Sequence, residues 1–181
     1  MSITPGPNNI MLSASGANFG FKRTVPHILG VNIGFGSLIF LCGLGLGVLF
    51  ETFPLFQTGL KLLGSLYLLY LAYRIATASS STEARVAKPL SFWEAAGFQY
   101  ANPKAWVFGL TAMSTFAVPS LSFLAKAIVI TLVVMLINFP CISTWVVFGT
   151  AIGRFLKNPK ALVIFNSTMA ALLVATIVLL F

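Results

Sequence analysis

Long apolar runs, separated by rare charges, make up most of this chain. Between His27 and Glu51 lie 23 residues without a charge, between Lys104 and Lys126 another 21, from Ala127 to Gly153 27, and from Ala161 to Phe181 21. A helix needs about 20 apolar residues to cross the hydrocarbon of a bilayer, so each run is long enough. A fifth segment, Thr58 to Thr77, carries Lys61 and Arg74 near its two ends, where both can snorkel to the headgroups. Tyr67, Tyr70 and Tyr73 cluster toward one end of it. The first segment, Ile3 to Phe21, is interrupted by Pro5, Gly6, Pro7, Asn8 and Asn9. The pattern predicts six membrane-spanning helices, the first of them broken.

Composition removes the alternative of a water-soluble domain. Of the 181 residues, 58% are hydrophobic and 8% charged, and the mean hydropathy is +0.97. Soluble domains are about a quarter charged, and so few charges cannot cover a soluble surface. The spans also leave nothing of domain size for an extramembrane enzyme. The net charge of +8 reflects 11 basic residues against 3 Glu, with no Asp. Nine of the eleven lie in three places: Lys22 and Arg23; Arg74, Arg85, Lys88 and Lys104; and Arg154, Lys157 and Lys160. By the positive-inside rule these three loops are expected in the cytoplasm and both termini outside. The bilayer, not nucleic acid, is the partner this basicity implies. No basic n-region precedes an apolar core at the N-terminus, so no cleavable signal peptide is expected.

The longest polar stretch is Thr77 to Ser91, rich in Ser with a Pro near its end, and it reads as a cytoplasmic linker. It divides the chain into a first half (1–78), a linker (79–91) and a second half (92–181), three spans to each half. An odd number of spans per half inverts the second half in the membrane. That is the layout of an inverted repeat, in which sites lie between the halves. No convincing residue-by-residue identity links the halves along their length, so the repeat is inferred from topology.

Three places bring polar chemistry into the apolar pattern. At Thr4-Pro5-Gly6-Pro7-Asn8-Asn9, two prolines stop a regular helix from running through. Such backbone is tolerated in a membrane where it lines a cavity or is buried in protein; an ordinary helix start with an Asn cap fits the same spacing. Asn102-Pro103 marks a helix boundary, and Phe92–Ala101 before it is too short to span. It is either a broken half-helix or the lead into a cytoplasmic turn with Lys104 at the headgroups. Asn138 and Pro140 stand near the middle of the 27-residue run, where an Asn either faces a site or bonds to another helix. Glycines four apart (Gly30 and Gly34, Gly43 and Gly47, Gly149 and Gly153) predict close helix packing.

The remaining inventory is poor in catalytic groups. Glu51, Glu83 and Glu94 fall near or outside membrane boundaries, and His27 has no obvious carboxylate partner. No paired carboxylates or Ser–His arrangement can be assembled. Cys42 and Cys141, both in apolar runs, read as buried thiols, and two Cys with one His give no disulfide framework or metal spacing. The run Gly16 to Thr24 fails the spacing of a phosphate loop, so no ATP site is expected. Neither an enzyme nor a cofactor is expected.

Thr4-Pro5-Gly6-Pro7-Asn8-Asn9 followed by Gly20-Phe21-Lys22-Arg23 resembles the opening signature of the lysine exporter/homoserine–threonine exporter (LysE/RhtB) superfamily. Leu60 to Arg74 resembles its third helix, and Phe98-Gln99 with Asn102-Pro103-Lys104-Ala105 its mid-chain motif. Lys88 to Trp93 and Thr111 to Phe116 look closest to the cysteine/O-acetylserine exporter branch. The resemblance implies six helices, a bacterial inner-membrane location and ion-gradient-driven efflux of amino acids or close derivatives. The alternatives are a relative exporting another small solute or ion, and a non-transporting, truncated membrane protein. Family members carry some fifteen apolar residues before the Thr-Pro-Gly-Pro motif, where this sequence has Met1-Ser2-Ile3, so either the start is misassigned or the outer half of helix 1 is missing.

A zwitterion needs dipoles, which half-helix N-termini and loose carbonyls supply. The expected site is therefore Thr4, Pro5, Gly6, Pro7, Asn8 and Asn9 facing Asn102 and Pro103, together with Asn138 and Pro140. The sequence leaves the choice of amino acid, the coupling ion and the oligomeric state, including a homo-oligomer, open.

Overall fold

A computed structural model describes residues 2–78, 88–116, 121–156 and 158–178. Seven α-helices carry almost all of them: α1 (Pro7–Leu41), α2 (Gly47–Thr52), α3 (Pro54–Thr77), α4 (Phe92–Ala101), α5 (Pro103–Thr115), α6 (Phe123–Phe155) and α7 (Pro159–Val178). A π turn, Cys42–Leu46, joins α1 to α2 with Gly45 at φ 99°. No strand occurs among the described residues. Four helical stretches among them are long and apolar enough to cross a membrane: Pro7–Leu46, Pro54–Thr77, Phe123–Phe155 and Pro159–Val178. Leu55, Leu66, Leu136 and Phe155 are among many large apolar side chains left exposed on these helices, as a lipid solvent allows. Most of the expected linker, residues 79–87, lies outside the described residues.

α1 is a hairpin of two helices. At Gly20 the backbone takes φ 76°, ψ 169°, a region that only glycine enters cheaply. The contacts with α6 show that the chain reverses there. Before Gly20, Ser13 Oγ donates to the Trp145 carbonyl, Thr150 Oγ1 donates to the Gly16 carbonyl, and Gly153 packs on Ala17, so the two chains ascend together. After Gly20, Asn32 meets Asn138, Gly36 meets Met135 and Gly43 meets Ala127, so they run in opposite senses. Leu12 accordingly packs in one cluster with Ile28 and Val31. The turn puts Lys22 and Arg23 at the same end of the molecule as Arg154.

α4 and α5 follow the second arm of α1 in tandem. Gly30 and Gly34 pack on Phe92 and Ala96 of α4, while Gly43 and Gly47 pack on Met113 and Leu110 of α5. Between the two helices Asn102 is extended (φ −98°, ψ 103°), because Pro103 denies α4 a continuation. A Ser91–Glu94 capping box starts α4, and Glu94 also binds Arg74 of α3 at 2.8 Å. Gly30 and Gly34, and Gly149 and Gly153, meet the backbone of a neighbouring helix where a Cβ would collide, while Gly43 and Gly47 meet side chains of α5 and α6.

Candidate functional site

The first arm of α1 begins in the interior. Ser2 to Gly6 run non-helically ahead of it, held through three carbonyls. Asn9 Nδ2 donates to the carbonyls of Ser2 and Thr4, both at 2.8 Å, and Trp145 Nε1 donates to the Ile3 carbonyl at 3.1 Å. Pro7 then opens the helix, and Gly6, at the cap position, has no side chain to satisfy the first turn.

This start meets the break between α4 and α5. Asn8 and Gln99 form a reciprocal amide pair, Nδ2 to Oε1 at 2.8 Å and Nε2 to Oδ1 at 3.1 Å. Lys104, in the first turn of α5, donates from Nζ to Thr4 Oγ1 at 3.2 Å, and its backbone N–H donates to Asn102 Oδ1. On the third side, Asn138 Nδ2 donates to Asn32 Oδ1 at 2.9 Å, with both side chains buried.

Between these segments lies a cavity of about 60 Å³. Of the ten expected site residues, Thr4, Gly6, Pro7, Asn8, Asn9, Asn102 and Asn138 line it. Three do not. Pro5 is exposed, Pro103 is buried behind the cavity as the first residue of α5, and Pro140 is exposed on α6. Pro140 stands two residues from Asn138, about 200° around a helix of 3.6 residues per turn, so the two cannot share a face. Val31, Phe35, Phe108 and Ile142 supply an apolar wall.

The charged residue in this lining, Lys104, is one that its position in sequence assigned equally to the headgroups. Gln99 and Asn32 were also outside the expected set, though each satisfies one of its amides. Asn9 is 5% exposed, and its Oδ1 has no hydrogen-bond partner among the described residues. The cavity thus combines a cation, two helix N-termini that attract anions, and a buried acceptor left open. A buried acceptor without a partner costs about 1–3 kcal/mol, which a bound donor would recover.

The chain is 30% identical over 160 residues to the cysteine/O-acetylserine efflux protein of Escherichia coli strain K12, covering 87% of this chain and 80% of the relative. The protein of the same description from Salmonella typhimurium strain LT2 is 31% identical over the same shares, and that from Shigella flexneri 30%. No solved structure matches. The family model described as "LysE type translocator" matches residues 1–181. The chain belongs to the LysE type translocator family.

Proposed function

We propose that this protein is a secondary exporter of small zwitterionic amino acids or their derivatives, of the cysteine/O-acetylserine or homoserine/threonine kind, in the bacterial inner membrane. The cavity between Asn9 and Lys104 is its substrate site. The observation that carries this is that one lining holds both Lys104, whose Nζ donates to Thr4 Oγ1, and Asn9, whose buried Oδ1 has no partner among the described residues. The cation and the N-terminus of α5 receive the carboxylate, and Asn9 Oδ1 accepts from the ammonium. A volume of about 60 Å³ and an uncharged wall favour a short, neutral side chain. The cysteine/O-acetylserine relatives point the same way.

In this proposal the chain crosses the membrane six times, as two inverted halves of three helices. The arms of α1 are spans one and two, α3 is span three, and α4 with α5 forms the broken span four. The internal correspondence supports it: a step of 106 residues carries Asn32, Gly43 and Gly47 onto Asn138, Gly149 and Gly153. The environments correspond too. Gly43 and Gly47 pack on the broken α4–α5 tandem, and Gly149 and Gly153 pack on the interrupted first arm. The basic ends of the helices face the cytoplasm, and both termini face out.

The test is uptake of labelled cysteine, O-acetylserine, homoserine, threonine and lysine into inside-out vesicles, with and without a proton gradient. We expect gradient-dependent accumulation of the short neutral amino acids and loss of it in Asn102→Ala and Lys104→Met at near-normal expression. Accumulation of none of the panel by the wild-type protein refutes the function. Undiminished transport by both variants refutes the site.

A further inference from the structure

A second cavity, of about 350 Å³, lies between the first arm of α1, α3 and the residues that lead into α4. Its polar lining includes Ser15, His27, Arg74 and Lys88, and Met11 and Leu71 are among its apolar residues. His27 is 1% exposed with neither ring nitrogen hydrogen-bonded among the described residues, and Ser15 Oγ, also buried, has no partner there. Buried polar atoms are rarely left unmatched, and here they border a space large enough for a small organic molecule. Arg74 is fixed by Glu94 Oε1 at 2.8 Å and by the Lys88 carbonyl at 3.1 Å. Among the described residues Glu94 balances one of the two cations, so Lys88 leaves this lining positive.

The position relative to the central site is specific. Asn8, Met11, Ser15 and Asn18 recur at three- and four-residue intervals and so share one face of the first arm. Asn8 lines the central cavity, while Met11, Ser15 and Asn18 line the larger one. The reciprocal Asn8–Gln99 amide pair stands one helical turn from Met11, at the step between them.

We propose that this larger cavity is a second, inner binding site for a small carboxylate-bearing amino acid, which reaches the central cavity when the Asn8–Gln99 pair opens. The proposal rests on the central site described above. Lys88 and Arg74 face the carboxylate, Ser15 and His27 hydrogen-bond to the ligand's polar atoms, and Met11 with Leu71 accommodates a short apolar side chain. The wild-type protein therefore binds two molecules at once.

Saturation binding of radiolabelled cysteine to the purified chain in lipid nanodiscs tests this, with stoichiometry as the readout. The wild type is expected to bind two equivalents. Lys88→Glu and Ser15→Leu should each weaken one equivalent by about ten-fold or more, the scale of one lost hydrogen bond to a charged group. Lys104→Met should remove the other equivalent. Lys88 is exposed, so Lys88→Glu decides the matter even if Ser15→Leu fails to fold. Lys22→Glu, a charge change at the same end outside the cavity, should leave both equivalents intact. One equivalent in the wild type, lost in Lys104→Met, overturns the inner site and leaves the central one standing; no binding at all counts against the central site. A second equivalent that vanishes when anionic lipid is added to the discs assigns the cavity to lipid headgroups and overturns the proposal.

Discussion

Gly149→Ala should destabilise this protein far more than one added methyl group suggests. Gly149 of α6 lies against the backbone of Ser13, and a Cβ there would stand 2.9 Å from Ser13 Cα and nearer still to its carbonyl. Ordinary contact begins at 3.4 Å. Both obstructing atoms are backbone, so no rotamer change relieves the clash, and the first arm of α1 must move off α6. A separation of roughly 0.5–1 Å forfeits a quarter to a half of each dispersion contact along the seam. Overpacking of this kind costs about 1–3 kcal/mol, or about 2–12 °C in Tm for a chain of this size. The same shift carries Asn8 and Asn9 away from Lys104, so ligand binding should weaken as well. Thermal unfolding of the purified protein, followed by tryptophan fluorescence, measures the effect. Gly97→Ala is the control: its Cβ would meet nothing within 4 Å, and removing a mid-helix glycine should gain about 0.5–1 kcal/mol. If Gly149→Ala melts at or above the wild-type temperature, the close approach of the first arm to α6 is wrong.

Three further outcomes follow from the same contacts. Gly20→Val should cost about 1–3 kcal/mol through the strain of a β-branched residue at φ 76°, and should lower both Tm and membrane yield. Asn32→Leu should cost about 1–3 kcal/mol by leaving the buried Asn138 amide unpaired. Adding Asn138→Leu should recover part of that in the same melt, with a coupling of about 0.6 kcal/mol. For orientation, Lys22→Cys and Leu55→Cys in a background lacking Cys42 and Cys141 should differ toward an impermeant thiol reagent on intact cells. Position 55 should react and position 22 should not.

Much of the fold is legible in the sequence because a membrane imposes a length on apolar runs. The 27-residue run gives α6, and the Asn102-Pro103 pair gives α4 its end at Ala101, since a proline cannot donate to the preceding turn. The glycine pairs forecast close helix packing. A reversal at Lys22-Arg23 is expected between the first two spans; less legible is that Gly20 alone makes it, inside one continuous helical stretch with no loop. In the site, the Thr-Pro-Gly-Pro-Asn-Asn motif announced a break and Asn138 a polar midpoint. Lys104 was harder, because a lysine after an Asn-Pro turn reads equally as a headgroup anchor. Its place beside Thr4 is fixed by a contact 100 residues away in sequence. Gln99 and Asn32 escaped for the same reason: a single amide in a helix declares its partner only when another chain segment is laid against it. Pro140 was drawn in by nearness to Asn138, where helical geometry sets the two on different faces.

The central claim is that the cavity at the joint of the two interrupted helices recognises both charges of an amino acid, and competition by one-charge analogues tests it most directly. Labelled cysteine bound to the purified Lys88→Glu protein, which leaves the central cavity intact, would be displaced by unlabelled cysteine, by cysteamine, which lacks the carboxylate, and by 3-mercaptopropionate, which lacks the ammonium. With Lys104 and Asn9 Oδ1 each holding one charge, both analogues should compete about 10–100-fold less well than cysteine, the range for one lost hydrogen bond to a charged group. Competition by either analogue at the concentration of cysteine itself would contradict the account.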